Sequence, residues 1–284
     1  MEIKRENVMI QDIIESSDLL ELADKVDHFL QYIQSESKQK TLIHKLEQEI
    51  NTSQSFFRLM DDENNPYQIL NGKSVIIQYL YNILPYGFRE KESLVSIRNN
   101  INHIRATIEN PQGKRLCEKD IRKIMAHLEN RFKYCSRVLK SDHLRISLLN
   151  NSFKTMNSIY TSKILTNDVI IHSIFLAHEK KSFGHPQEYT LLHELGHALH
   201  TEITRKQATL PESFRSVQEL MFRKSLDFPP IQVVEIFADC FTCVASLGTE
   251  LEKNNPLNAI HPDDKALLVK YFDYLMVELD KTSA

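Results

Sequence analysis

Two histidines and a glutamate fall within five positions in Leu191-Leu192-His193-Glu194-Leu195-Gly196-His197-Ala198-Leu199-His200. On an α-helix, residues i and i+4 project from one face, and i+1 lies on its flank. The imidazoles of His193 and His197 can therefore meet one metal ion. The carboxylate of Glu194 then stands beside them, placed to take a proton from a metal-bound water. That chemistry is metal-assisted hydrolysis, with Zn2+ as the expected ion.

The pattern H-E-x-x-H is short, and the plainer alternative is a surface helix with two solvated histidines and an acid. Three features of its setting oppose that alternative. Leu191, Leu192, Leu195, Ala198 and Leu199 surround the polar triplet, so the helix is mostly buried. Buried imidazoles and a carboxylate need partners, because an unpaired polar group in an apolar setting costs several kcal/mol. Gly196 sits in the helix interior, where glycine costs about 1 kcal/mol relative to alanine. A residue that unfavourable predicts close approach of another backbone.

A zinc site needs a third protein ligand. A metzincin would carry Gly at 200 and His at 203; the chain has His200 and Ile203. The alternative is a glutamate on a second helix with an acid four residues on. Glu235 and Asp239, in the apolar run Val233-Val234-Glu235-Ile236-Phe237-Ala238-Asp239-Cys240-Phe241, have that spacing. Asp239 would then accept a hydrogen bond from the non-ligating nitrogen of a zinc histidine and fix its tautomer. Glu212 and Glu219 are rivals in more polar surroundings, and neither has an acid four residues later.

The pair HELGH and E-x-x-x-D resembles the gluzincin zinc metallopeptidases. The wording of the second motif, Glu235 to Phe241, is similar to the catalytic domains of the anthrax lethal factor and Pro-Pro endopeptidase group. The resemblance runs over roughly 187 to 248. It implies His193, His197 and Glu235 as metal ligands, Glu194 as general base, and hydrolysis of peptide bonds in a protein or peptide substrate. The lethal-factor group places a tyrosine seven residues before the glutamate ligand to stabilise the oxyanion, and here that position is Phe228. Replacement donors would be His261, Tyr271, Tyr274 or Tyr189. A looser resemblance to the ImmA/IrrE-type regulator proteases implies a narrowly specific enzyme instead. Phe228 motivates a third possibility, a catalytically silent, zinc-stabilised interaction protein.

These residues need elements to hold them. His143 to Leu149 and Asp168 to Leu176 are short, apolar-rich runs, the second dense in β-branched residues, and they predict strands of a small sheet ahead of the HELGH helix. An edge strand of such a sheet can pair with an extended substrate. Gly248 and Asn254-Asn255-Pro256 end the glutamate helix, and a last helix starts at Pro262. Upstream, apolar residues recur at helical spacing in Leu19 to Ile33, Leu42 to Ile50, Val75 to Leu84 and Glu118 to Leu139. The expected architecture is α+β: a helical region over 1–140, then a zincin-like metallopeptidase domain over 141–284.

Composition narrows the field. With a net charge of −3 and mixed charge order, the chain shows no field that would draw nucleic acid. No apolar run approaches the roughly 18 residues of a membrane span. Charged residues through Glu15 exclude a signal-peptide core, so a cytoplasmic protein is expected. Cys117, Cys135, Cys240 and Cys243 form no disulfide framework at this length. Cys240 and Cys243 read as buried helical thiols. The histidines at 28, 44, 103, 127, 143, 172, 178 and 185 lack ligand spacing and read as core or solvated residues. His200, almost one turn beyond His197, is a candidate substrate or supporting contact.

Overall fold

The structure, a computed structural model, describes residues 2–16, 18–33, parts of 41–49 and 99–109, 68–70, 116–132, 137–140, 144–153, 158–164, 170–178, 187–206, 232–255, 258 and 261–281. Glu212, Glu219, Phe228, Cys135 and the run Val75 to Leu84 lie outside these residues. Among the described residues the architecture is mixed α+β and mostly helical. Its helices are α1 (Glu2–Ile14), α2 (Leu19–Tyr32), α3 (Glu118–Arg131), α4 (Arg137–Lys140), α5 (Gln187–Lys206), α6 (Gln232–Ala245) and α7 (Pro262–Lys281). Its strands are β1 (Gln68–Leu70), β2 (Ile108–Glu109), β3 (Leu144–Leu148), β4 (Ser152–Phe153), β5 (Ser158–Ile164) and β6 (Ile170–Leu176). No described helix is long and apolar enough to cross a membrane.

The chain forms two compact units. The first comprises Met1–Arg115, Ile146–Asn157 and Phe175–Ser182; the second comprises Leu116–Arg145, Ser158–Ile174 and Phe183–Ala284. This division does not coincide with the expected cut after 140, because the chain passes between units within β3 and again within β6. In the first unit α1 packs on α2. Asp18 caps α2 by accepting from the Glu21 N–H at 2.8 Å, and Asn151 Oδ1 accepts from the Leu19 N–H at 3.0 Å. β1 and β2 fall in a stretch expected to be helical. β2 pairs antiparallel with β4, with Ile108 opposite Phe153.

Strand order in the larger sheet is β1-β3-β6-β5. β3 and β6 are buried along their whole length, which suits the two inner strands and explains their unbroken apolar texture. β5 is an edge strand. It was not anticipated, because Ser158-Ile159-Tyr160-Thr161-Ser162-Lys163-Ile164 mixes polar residues into a β-favouring run.

In the second unit α5, α6 and α7 pack together, with Leu191, Leu195, Ala198, Phe237, Phe241, Leu268, Phe272 and Leu275 buried. α3 belongs here as well. Its His127 Nε2 lies 2.9 Å from the Ala245 carbonyl, and Arg131 donates to Asp273 at 3.0 Å. The helix expected to run from Glu118 to Leu139 ends at Arg131, where Phe132 turns extended and its ring stacks on Phe241 at 5.9 Å. Gly248 stops the glutamate helix with φ of 82°, a left-handed conformation that glycine adopts without steric penalty.

Gly196 is the point where α5 and α6 touch. A Cβ there would lie 2.7 Å from Ala238 Cα and 3.1 Å from the Ala238 carbonyl oxygen. The backbone approach expected from the sequence is thus that of α6, and it brings the His193 and His197 face of α5 against the turn that carries Glu235 and Asp239. Gly196→Ala must push backbone rather than a flexible side chain. It is expected to cost about 1–3 kcal/mol, read as a lower denaturant midpoint. A midpoint equal to the wild type would show that the helices separate without penalty.

Candidate functional site

α5 supplies His193, Glu194 and His197; α6 supplies Glu235 and Asp239; β5 and β6 supply Ser158, Tyr160 and His172. The i, i+4 spacing sets the two imidazoles edge to face, with ring centroids 4.7 Å apart. His193 Nε2 lies 3.1 Å from His197 Nε2 and 3.0 Å from Glu235 Oε2, while His197 Nε2 lies 3.5 Å from Glu235 Oε1. One donor atom from each of the three residues falls within 4.8 Å of the others. Zinc–ligand bonds of about 2.0–2.1 Å at tetrahedral angles put neighbouring donors about 3.3 Å apart. The two nitrogens stand near that edge length and the Glu235 carboxylate turns a different oxygen to each, so the three residues have the donor types and the proximity that a metal ion such as zinc needs.

Electrostatics agree with a site for positive charge. Two ring nitrogens 3.1 Å apart cannot both turn a proton toward the other, so the gap suits either one shared proton or a cation. Burial alone lowers the His193 pKa. Hydrogen bonds to Asp239 and Glu235 and the charge of Glu194 outweigh it and lift the value to about 10. The same hydrogen bonds from His193 and His197 hold the Glu235 carboxyl far below its usual range, against the opposing effect of burial. A proton on His193 would compete directly with a metal at this site.

Asp239 Oδ1 lies 2.8 Å from His193 Nδ1, which leaves Nε2 turned toward His197 and Glu235. A histidine that donates Nδ1–H to a carboxylate has its tautomer and ring direction fixed for ligation through Nε2. Asp239→Ala is expected to weaken zinc binding about 10- to 100-fold while the protein still folds, as measured by competition with a chromophoric chelator. Unchanged affinity would mean that the His193–Asp239 contact does nothing for the metal.

Glu194 is 6% exposed, whereas the Glu235 and Asp239 side chains are 48% and 55% exposed. Glu194 is thus buried beside a cluster whose α6 side opens to solvent. Burial pushes the Glu194 carboxyl up, against a Ser158 hydrogen bond and the charges of His193 and His197. Ser158 Oγ donates to Glu194 Oε1, which leaves Oε2 free of that contact. Ser158 was missed in the sequence because β5 was missed. So was Tyr160, two residues along the same strand, whose ring stacks on His197 at 5.9 Å.

The remaining candidates make the following contacts. The His200 ring meets Phe237 edge-on at 5.1 Å, a packing contact. His261 caps α7, accepting from the Asp263 N–H at 3.4 Å, and its side chain is 69% exposed. Tyr271 is buried against Phe272 at 5.1 Å. Tyr274 lies beside Glu278, and Tyr189 lies near Cys243 and Asp239. Cys243 is buried and Cys240 half-buried, and neither is in a disulfide.

No protein-family model, no curated protein and no solved structure matches the chain.

Proposed function

We propose that this chain is a zinc-dependent metalloendopeptidase with a zincin-like catalytic unit. The observation that supports it best is the convergence of His193 Nε2, His197 Nε2 and the Glu235 carboxylate, which turns one oxygen to each nitrogen at 3.0 and 3.5 Å, beside a buried glutamate. His193, His197 and Glu235 would hold the metal. When bound, zinc supplies a Lewis acid that makes water nucleophilic near neutral pH and polarises a carbonyl.

The chain's own groups do the rest. Asp239 keeps the His193 lone pair on Nε2 by accepting from Nδ1–H. Ser158 pins Glu194 through Oε1, so Oε2 is the atom left to take the proton from attacking water and pass it to the leaving amine. The raised pKa of Glu194 suits that task, since a carboxylate that holds its proton more firmly is the stronger base. β5, an edge strand packed against α5, offers backbone groups to an extended peptide.

The test is zinc content measured alongside turnover of a peptide library by the wild type and by Glu194→Gln. Zinc-dependent turnover lost in the variant supports the proposal. A zinc-replete wild type that cleaves nothing would leave a zinc-stabilised protein without peptidase activity.

A further inference from the structure

Behind the donor cluster runs a buried polar chain that the hydrolytic reading leaves without a task. His172 is 1% exposed and Glu202 7%, on a strand and a helix face where apolar side chains would pack without desolvating an imidazole and a carboxylate. Arg205 donates to Glu202 Oε2 at 2.9 Å, and Glu202 Oε1 lies 3.0 Å from His172 Nε2. His172 Nδ1 lies 2.9 Å from the Tyr160 hydroxyl, which donates to Thr201 Oγ1 at 2.9 Å. Thr201 Oγ1 donates in turn to the His197 carbonyl at 3.0 Å.

The run therefore ends on the backbone of His197, while the Tyr160 ring lies over the His197 imidazole with 25° between the planes. One side chain touches the ring of that histidine and, through Thr201, its main chain. The same ring meets His193 at 87°. The Tyr160 ring thus bears on the plane of the imidazole, and its hydroxyl, through Thr201, on the turn of helix that carries it. A phenylalanine at 160 would keep the stack. It would leave His172 Nδ1 and Thr201 without the group that bridges them, at the cost of an unsatisfied buried polar atom.

We propose that Tyr160 is a positioning residue for His197, its hydroxyl tying the ligand to the buried His172–Glu202 pair so that Nε2 is held at the reach a metal requires. The proposal rests on the zinc-site reading above. Its test compares the full-length wild type with Tyr160→Phe, Thr201→Val and the double variant. Zinc affinity is measured by chelator competition, the visible spectrum is recorded with cobalt(II) in place of zinc, and thermal unfolding is followed without metal.

Tyr160→Phe is expected to bind zinc about tenfold or more weakly and to alter the cobalt spectrum. Thr201→Val should act in the same direction. The double variant should be little worse than the weaker single one, because both changes break the same run. Wild-type zinc affinity and cobalt spectrum in Tyr160→Phe, with only the metal-free unfolding temperature lowered, would overturn the proposal and leave Tyr160 as packing. Should Tyr160→Phe fail to fold, unchanged zinc affinity in Thr201→Val would overturn it equally. A wild type that takes up no zinc at all would remove the hydrolytic reading together with this one, a result distinct from either.

Discussion

Glu194→Gln is expected to bind zinc as the wild type does and to lose roughly 100-fold or more of its peptide turnover. The two halves of that expectation have separate origins. Glu194 is absent from the group of donors, which consists of His193, His197 and Glu235, so its neutral replacement leaves the ligands in place. Glutamine is close in shape to glutamate and can still accept from Ser158 through its carbonyl oxygen. What it cannot do is accept a proton at the second oxygen. The variant therefore isolates the base from the metal and from packing. It is best read as kcat, with zinc content determined on the same sample. Retained turnover in a metal-replete Glu194→Gln protein would move the base to another residue.

His193→Ala combined with His197→Ala is expected to abolish zinc binding and, with it, activity. The double change removes two of three protein donors and leaves Glu235, 48% exposed and flanked by Asp239, as an ordinary surface acid. It also removes the partners that hold the Glu235 carboxyl below its usual range, so that pKa should return toward the ordinary value. Metal analysis after dialysis gives the first readout. Stability gives the second, because zinc that binds the native state alone stabilises it by about 2.7 kcal/mol at a hundredfold excess over Kd. The wild type should unfold at higher temperature with zinc present, and the double variant should not respond. Full zinc occupancy in the double variant would place the metal elsewhere.

Much of the site was legible in the chain because helical geometry is local. His193 and His197 at i and i+4, and Glu235 and Asp239 at the same interval, share faces wherever their helices stand. Gly196 announced a close backbone contact because its cost in a helix needs a reason, and the reason is Ala238. The two central strands showed through as apolar runs because both of their faces are buried.

Other features could not be read this way. Ser158 and Tyr160 reach Glu194 and His197 across 36 and 37 residues of chain through strand pairing, and nothing local in Ser-Ile-Tyr-Thr-Ser marks those partners. His172 reads as a core or solvated histidine, and nothing in the sequence singles out Glu202. Their pairing depends on which face of β6 meets α5, and a strand's apolar run leaves that open when both faces are buried. The break at Phe132 came from its ring lying on Phe241, a contact between residues 109 positions apart that overrode the helical periodicity of the preceding turn. Which residues could bind a metal, and how each pair is spaced along its helix, can be read from the chain, since that spacing follows from backbone geometry alone. That the two helices meet at Gly196 and Ala238, that β5 contacts Glu194 and His197, and that a buried polar chain stands behind His197 emerge on folding. Those contacts join distant segments, and their energies depend on burial that no short stretch of sequence encodes.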